Sequence, residues 1–246
     1  MEASRPSGQV SVGGVVSETF SVYGQNWLIL ILSSIVIFVV TGLVTGLLYS
    51  EGGLILGLIA GIVQLAAYAL YTGFVVRLVQ DVRDGKRDQT VGDLMSSAAP
   101  AILSLIGFGI LWAIGVAIGF ILLIIPGLIL ITFWCVGAPA IVVEKEGPIG
   151  AFGRSWNLVR GDAWSVFATL LVILLIVIAI GFVLGIIATP ISNGATVVAQ
   201  IISNVITAPI FAIAVSAMFF DLGGGSGRTA AAAAPAEPPP PAAPAA

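Results

Sequence analysis

Six long apolar runs constrain this chain more than any other feature. They lie at about 27–49, 54–76, 101–125, 128–143, 164–188 and 197–220. At ~1.5 Å per residue, twenty helical residues cross the ~30 Å hydrocarbon core of a bilayer. The fourth run is short, and Pro126-Gly127 ahead of it reads as a tight turn. One helix over 101–143 would be about twice the length a membrane needs. Only 9% of residues are charged, too few for a water-exposed surface, which carries roughly 25%. The expected fold class is therefore all-α, a polytopic membrane protein with six transmembrane helices.

The charges set the expected orientation. The nine Lys and Arg residues are Arg5, Arg77, Arg83, Lys86, Arg87, Lys145, Arg154, Arg160 and Arg228. With six spans, all of them fall on the side of the N-terminus, the 77–100 and 144–163 loops and the C-terminus. Glu51 is the only charge opposite. Basic residues stay in the cytoplasm, so both termini are expected inside. Three parts follow: an N-terminal cytoplasmic segment 1–26, a transmembrane domain 27–220 and a tail 221–246. From Gly223 the tail is mostly Gly, Ala and Pro and has too little apolar bulk to fold. No cleavable signal peptide is expected, because the first apolar run is too long for one.

Several chemistries are excluded. There is no histidine and a single cysteine, Cys135. The commonest general base and metal ligand is missing, and so is any disulfide within one chain. A net charge of -3 gives no reason to expect a nucleic-acid partner.

Three segments share a pattern: Ser11-Val12-Gly13-Gly14, Thr90-Val91-Gly92-Asp93 and Pro148-Ile149-Gly150-Ala151. Each opens with a residue suited to a helix start, and each precedes an odd-numbered span. In the first, Val12, Val15, Val16, Thr19, Phe20 and Tyr23 share a face. In the third, Ile149, Phe152, Trp156 and Val159 do. Such helices lie in the headgroup plane, and Trp27 and Trp164 follow where the chain enters the bilayer. Pro100 cuts the second short. The architecture is then six spans plus two or three interfacial helices. It reads either as a threefold internal repeat or as helices that any multi-span chain carries.

Four groups are candidates for function or packing. Gly53, Gly57 and Gly61, Gly42 and Gly46, Gly115 and Gly119, and Gly181 and Gly185 are spaced for close helix approach, within the chain or between copies. Asp81, Asp84 and Asp88 superficially match a magnesium–diphosphate motif. However, Gly85 weakens the helix, Arg83, Lys86 and Arg87 neutralise the cluster, and no second motif exists, so a solvated loop is expected. Gln64, Gln200 and Asn204 form an intramembrane polar cluster, bonding across helices or lining a cavity. Pro139, Pro190 and Pro209 each remove a backbone donor in or beside a span.

The stretch 124–167 is the most distinctive. It contains Pro126-Gly127, Ala138-Pro139, Glu144, Ala151, Arg154-Ser155-Trp156 and Leu158-Val159-Arg160-Gly161. It resembles a group of bacterial six-span proteins that includes the membrane domain of glycerophosphoryl diester phosphodiesterases. Phe20, Tyr23, Asn26, Gly85, Thr90 and Gly92 look similar too. The phosphodiesterase chemistry of that group belongs to a separate soluble barrel using histidines, so it is not expected here. The resemblance implies a module of the bacterial cytoplasmic membrane that anchors partners or handles lipid-like molecules.

The expectation is a non-enzymatic scaffold or accessory module, without cofactor or metal. The alternatives are a carrier or flippase for a lipid or amphiphile, and an enzyme built on the aspartate loop. Membrane lipids are the expected partners, with a membrane protein or a second copy as a further one. Arg154, Trp156, Arg160 and Trp164 are the candidate lipid-phosphate and interface contacts.

Overall fold

In the computed structural model every regular element among the described residues, 10–50, 52–85, 90–188 and 193–225, is helical; the side chains of 49, 50, 188 and 193–200 lie outside that description. The helices are α1 (Val12–Ser50), α2 (Leu54–Arg83), α3 (Val91–Ala98), α4 (Ile102–Leu122), α5 (Ile124–Trp134), α6 (Gly137–Glu144), α7 (Pro148–Val159), α8 (Ala163–Ala188) and α9 (Asn193–Asp221). Six helical stretches are long and apolar enough to cross a membrane. They are Val12–Leu48, Leu54–Arg83, Val91–Leu122, Ile124–Glu144, Ala163–Ile187 and Ile201–Asp221. The expected number of spans is met. Arg5, Lys86, Arg87, Asp88, Pro190, Arg228 and the tail beyond 225 lie outside the described residues.

Two boundaries differ from expectation. The second span runs on to Arg83, and Gly85 at φ +71° closes it in the left-handed conformation that suits glycine. The turn before the fourth span is at Leu123, whose backbone is extended, and not at Pro126-Gly127. Pro126 sits instead in the first turn of α5, where a missing N–H costs nothing. Gly127 serves packing: a Cβ there would lie 2.6 Å from the Phe120 ring.

The helix starts behave as the sequence predicts. Ser11 Oγ accepts the Gly14 amide. Thr90 and Asp93 cap each other in a capping box, and Pro148 opens α7. The N-terminal part of α1 is set off from the span by a kink at Asn26 (φ -120°, ψ 17°). The Asn26 side chain donates to the Val22 carbonyl at 3.0 Å. That carbonyl would otherwise take the Asn26 amide, so the side chain competes with the helix ladder. A short helix thus precedes the first, third and fifth spans. The short helices turn different faces inward. The first buries Val15, Thr19 and Val22, α3 buries Leu94 and Ala98, and α7 buries Ala151, Ser155 and Val159. Phe20, Ile149 and Trp156, on the expected apolar faces, are exposed, as side chains that face lipid are. Ala151 and Ser155 are buried and let α7 approach the backbone beneath it.

The central element is α9, in which residues 212–219 are all buried among α1, α2 and α8. Pro209 interrupts its ladder and frees the carbonyl four residues back. That is Val205, and the buried Ser34 hydroxyl of α1 lies 3.2 Å from it, shared with the Ile31 carbonyl at 2.9 Å. A neighbouring serine thus restores in part what the proline removed, as a span without water requires. The charged contacts between elements gather at one end of the bundle. There Arg83 meets Glu18 and Asp221, Glu144 meets Arg154, and Asp162 accepts the Val10 amide.

Candidate functional site

The fourth span is a broken helix. It stops at Trp134 and restarts at Gly137. Pro139 explains the position: in a continuous helix its ring would strike the carbonyl of residue 135, four positions back. The break leaves the last carbonyls of α5 without amide partners. The buried Ser155 hydroxyl of α7 donates to one of them, Phe133, at 2.7 Å. Trp156 stacks on the Phe133 ring at 4.1 Å between centroids. Phe152 packs against Trp134 at 4.7 Å and Phe108 at 4.6 Å.

An ion pair locks the other end of this brace. Arg154 forks onto Glu144, Nε to Oε2 at 2.6 Å and Nη2 to Oε1 at 2.7 Å. The Gly225 amide adds a third donor to Glu144 at 2.9 Å. Glu144, first and foremost through its hydrogen bonds, holds the Arg154 guanidinium above its ordinary pKa. The Arg-Ser-Trp element therefore clamps a broken span. Ser155→Val removes the donor but keeps the bulk, stranding a buried carbonyl. It is expected to cost about 1–3 kcal/mol, read as a lower melting temperature in detergent.

Beside the break lies an apolar cleft of about 390 Å³ between α2, α4, α5, α6 and α9. Trp112, Trp134 and Cys135 form part of its wall. A second cavity of about 200 Å³ adjoins it and is lined by Asn204 and Thr207. The two share Tyr68, Thr72, Phe211 and Ala212. The larger alone falls within the range of roughly 300–1,000 Å³ found for small-molecule sites. Its wall is apolar, with hydroxyls and indole groups interspersed, which suits a ligand that is mostly hydrocarbon.

The residues singled out from sequence are distributed as follows. Arg154 and Trp156 meet in the brace. Arg160 is exposed, and Trp164 is 80% exposed near Phe167. Asn204 lines the smaller cavity; Gln64 is half-buried on α2 and lines neither. The Gln200 side chain lies outside the described residues. Asp81 is buried on α2, whereas Asp84 is exposed at its end. Among the described residues no three carboxylates or thiols converge as a metal site would need. The glycines divide. Gly115 lies under Trp134, Gly119 against Gly127 and Gly181 by Ser203, while Gly42, Gly46, Gly53, Gly61 and Gly185 have open space. Sequence reasoning missed the roles of Ser155 and Glu144 and the cleft residues Tyr68 and Thr72. Pro139 was the readable signal, because it marks an acceptor left uncovered.

The comparisons with curated proteins and with solved structures returned no match. The model of one family matches residues 54–213, from the start of α2 into the centre of α9, and so takes in the broken span, its brace and the cleft. On that match the chain belongs to the uncharacterised protein family UPF0259.

Proposed function

We propose that this protein is a non-enzymatic, multi-pass protein of the bacterial cytoplasmic membrane that takes a membrane amphiphile into the cleft beside its broken helix. The cleft carries the reading. It is sized for a ligand, almost wholly apolar, and built where a span is interrupted. Interrupted helices in membranes belong where protein or a cavity can satisfy the backbone, and transporters often place binding sites at them. Both termini face the cytoplasm, on the same side as the cluster of basic residues.

Reconstitution with a phospholipid bearing a photoactivatable acyl chain tests this. Labelling is expected at Trp112 and Trp134 inside the cleft as well as on the outer surface. Thr72→Phe, which fills the space between the two cavities, is expected to remove the inner labelling and leave the outer unchanged. Labelling confined to outward residues such as Leu175 and Phe182 would return the protein to the scaffold reading. The open faces at Gly42 and Gly46 would then be its available contacts.

A further inference from the structure

A further cavity, of about 550 Å³, lies between α2, α3, α4 and α6, nearer the charged end. Its lining includes Arg77, Lys145, Glu146, Ser97 and Ser104. One packed layer separates it from the apolar cleft. There Val76, Leu105, Ile141 and Val142 meet, and a Cβ on Gly73 would lie 3.2 Å from Ala98. We infer that this vestibule binds a phosphate group, the polar end of an anionic amphiphile or of a soluble phosphate ester. The inference deepens the cleft reading and rests on it only for the ligand's chain, which must part this layer to join the two spaces.

Three observations carry it. The first is the arginine. Two of the five guanidinium donors of Arg77 are spent, on Gln80 Oε1 at 2.9 Å and on the Val142 carbonyl at 2.6 Å. These contacts fix the group at the cavity wall. Its Nε is buried without a partner. That atom has no exposed surface for a ligand to reach, so the donors left for an anion are the remaining N–H groups of Nη1 and Nη2. The second is the lysine. Lys145 sits at the end of α6 in the left-handed conformation, φ +59°, at the mouth of the same cavity. No carboxylate among the described residues lies within ion-pair distance of it or of Arg77.

The third is where the opposing charge goes. Glu146 is the only acid in the lining, and its carboxylate is turned toward α7. A Cβ on Gly150 would lie 2.7 Å from its Oε2, so the carboxylate lies over the first turn of α7, where the helix dipole favours it. It also acts on Arg154. The vestibule is left with two cations that no carboxylate among the described residues contacts and with the Ser104 hydroxyl, the Ser97 hydroxyl being spent on the Leu94 carbonyl at 2.9 Å. Guanidinium, ammonium and hydroxyl donors together suit a phosphate.

Binding of dioctanoyl phosphatidic acid, dioctanoylglycerol and glycerol 3-phosphate to the full-length protein in non-ionic detergent tests the inference. Phosphatidic acid is expected to bind about tenfold more tightly than dioctanoylglycerol, since each basic group near a headgroup contributes on the order of a fewfold. That preference is expected to fall in Arg77→Gln and in Lys145→Asn, with dioctanoylglycerol binding unchanged. Lys145→Asn guards against misfolding, because the position is exposed and asparagine tolerates the left-handed backbone. Tight glycerol 3-phosphate binding that both variants weaken would support the site and assign it a soluble ligand. Equal binding of the two dioctanoyl lipids by the wild type, with glycerol 3-phosphate unbound, overturns the inference and leaves the cleft reading standing. A preference that survives both substitutions also overturns it, placing the anion elsewhere. Binding of none of the three overturns the inference and the cleft reading together.

Discussion

Arg83→Met is expected to lower the melting temperature of the detergent-solubilised protein by about 5–10 °C, the equivalent of about 2–3 kcal/mol. Arg83 joins three helices. From α2 it forks onto Glu18 of α1 at 2.7 Å through both Nε and Nη2. The same Nη2 reaches Asp221 of α9 at 2.9 Å and the Ala217 carbonyl at 3.2 Å. Its guanidinium also lies 5.3 Å from the Phe220 ring centroid. The side chains are 26%, 23% and 14% exposed for Arg83, Glu18 and Asp221, so solvent screens the pairs in part. The loss is accordingly set below that of a fully buried pair. Most of it comes from two carboxylates left without a cation, so adding Glu18→Gln and Asp221→Asn should recover part of the shift. Arg83→Lys keeps the charge but cannot hold both carboxylates in one fork, and an intermediate value is expected. A shift under about 2 °C for Arg83→Met would show that the junction contributes nothing to stability.

Gly137→Leu is expected to destabilise the protein by about 3 kcal/mol, at the upper end for overpacking. A Cβ at Gly137 would lie 2.4 Å from Phe108 Cζ and 2.5 Å from Cε2. Phe108 cannot yield readily, being buried and packed on Phe152. Glycine is thus required at the restart of the broken helix so that the Phe108 ring can lie over it. The companion Phe108→Ala removes the obstruction. The double variant should be more stable than the two single effects predict, by more than about 1 kcal/mol of coupling. Gly161→Leu is the control. Nothing lies within 4 Å of a Cβ there, so its effect should stay within about 0.5 kcal/mol. Additivity of Gly137→Leu and Phe108→Ala would mean that the ring does not rest on the break.

The candidate site was legible only in pieces. Pro139 and Pro209 are visible in the sequence, and each announces a carbonyl that needs a donor. The donors were not readable. Ser34 reaches Val205 from 171 positions away, and at the break before Pro139 it is the Phe133 carbonyl, not that of residue 135, that Ser155 covers from 22. Nothing in local spacing distinguishes a serine aimed across a helix contact from one bonded within its own turn. Arg154 illustrates the same limit. Beside Trp156 it reads as a cation for lipid phosphates, yet two of its nitrogens are held by Glu144. Arg77 read as one more basic residue in a loop, because the second span was expected to end at residue 76. The helix continues because Gln80 and the Val142 carbonyl give Arg77 partners at that depth.

The sequence by itself determined the number of membrane-length helices, their approximate limits, the starts of the three short helices and the gathering of charge at one end. These follow from local rules. Apolar length against bilayer thickness, caps at helix starts and the exclusion of charge from hydrocarbon each act on neighbouring residues. Tertiary structure alone decided where the fourth span breaks, how α7 clamps it, which glycines are covered and where a cleft and a vestibule remain. Those depend on which faces meet across the bundle. Inside an apolar helix every side chain looks alike to the sequence, and only packing decides which surface is filled and which is left open.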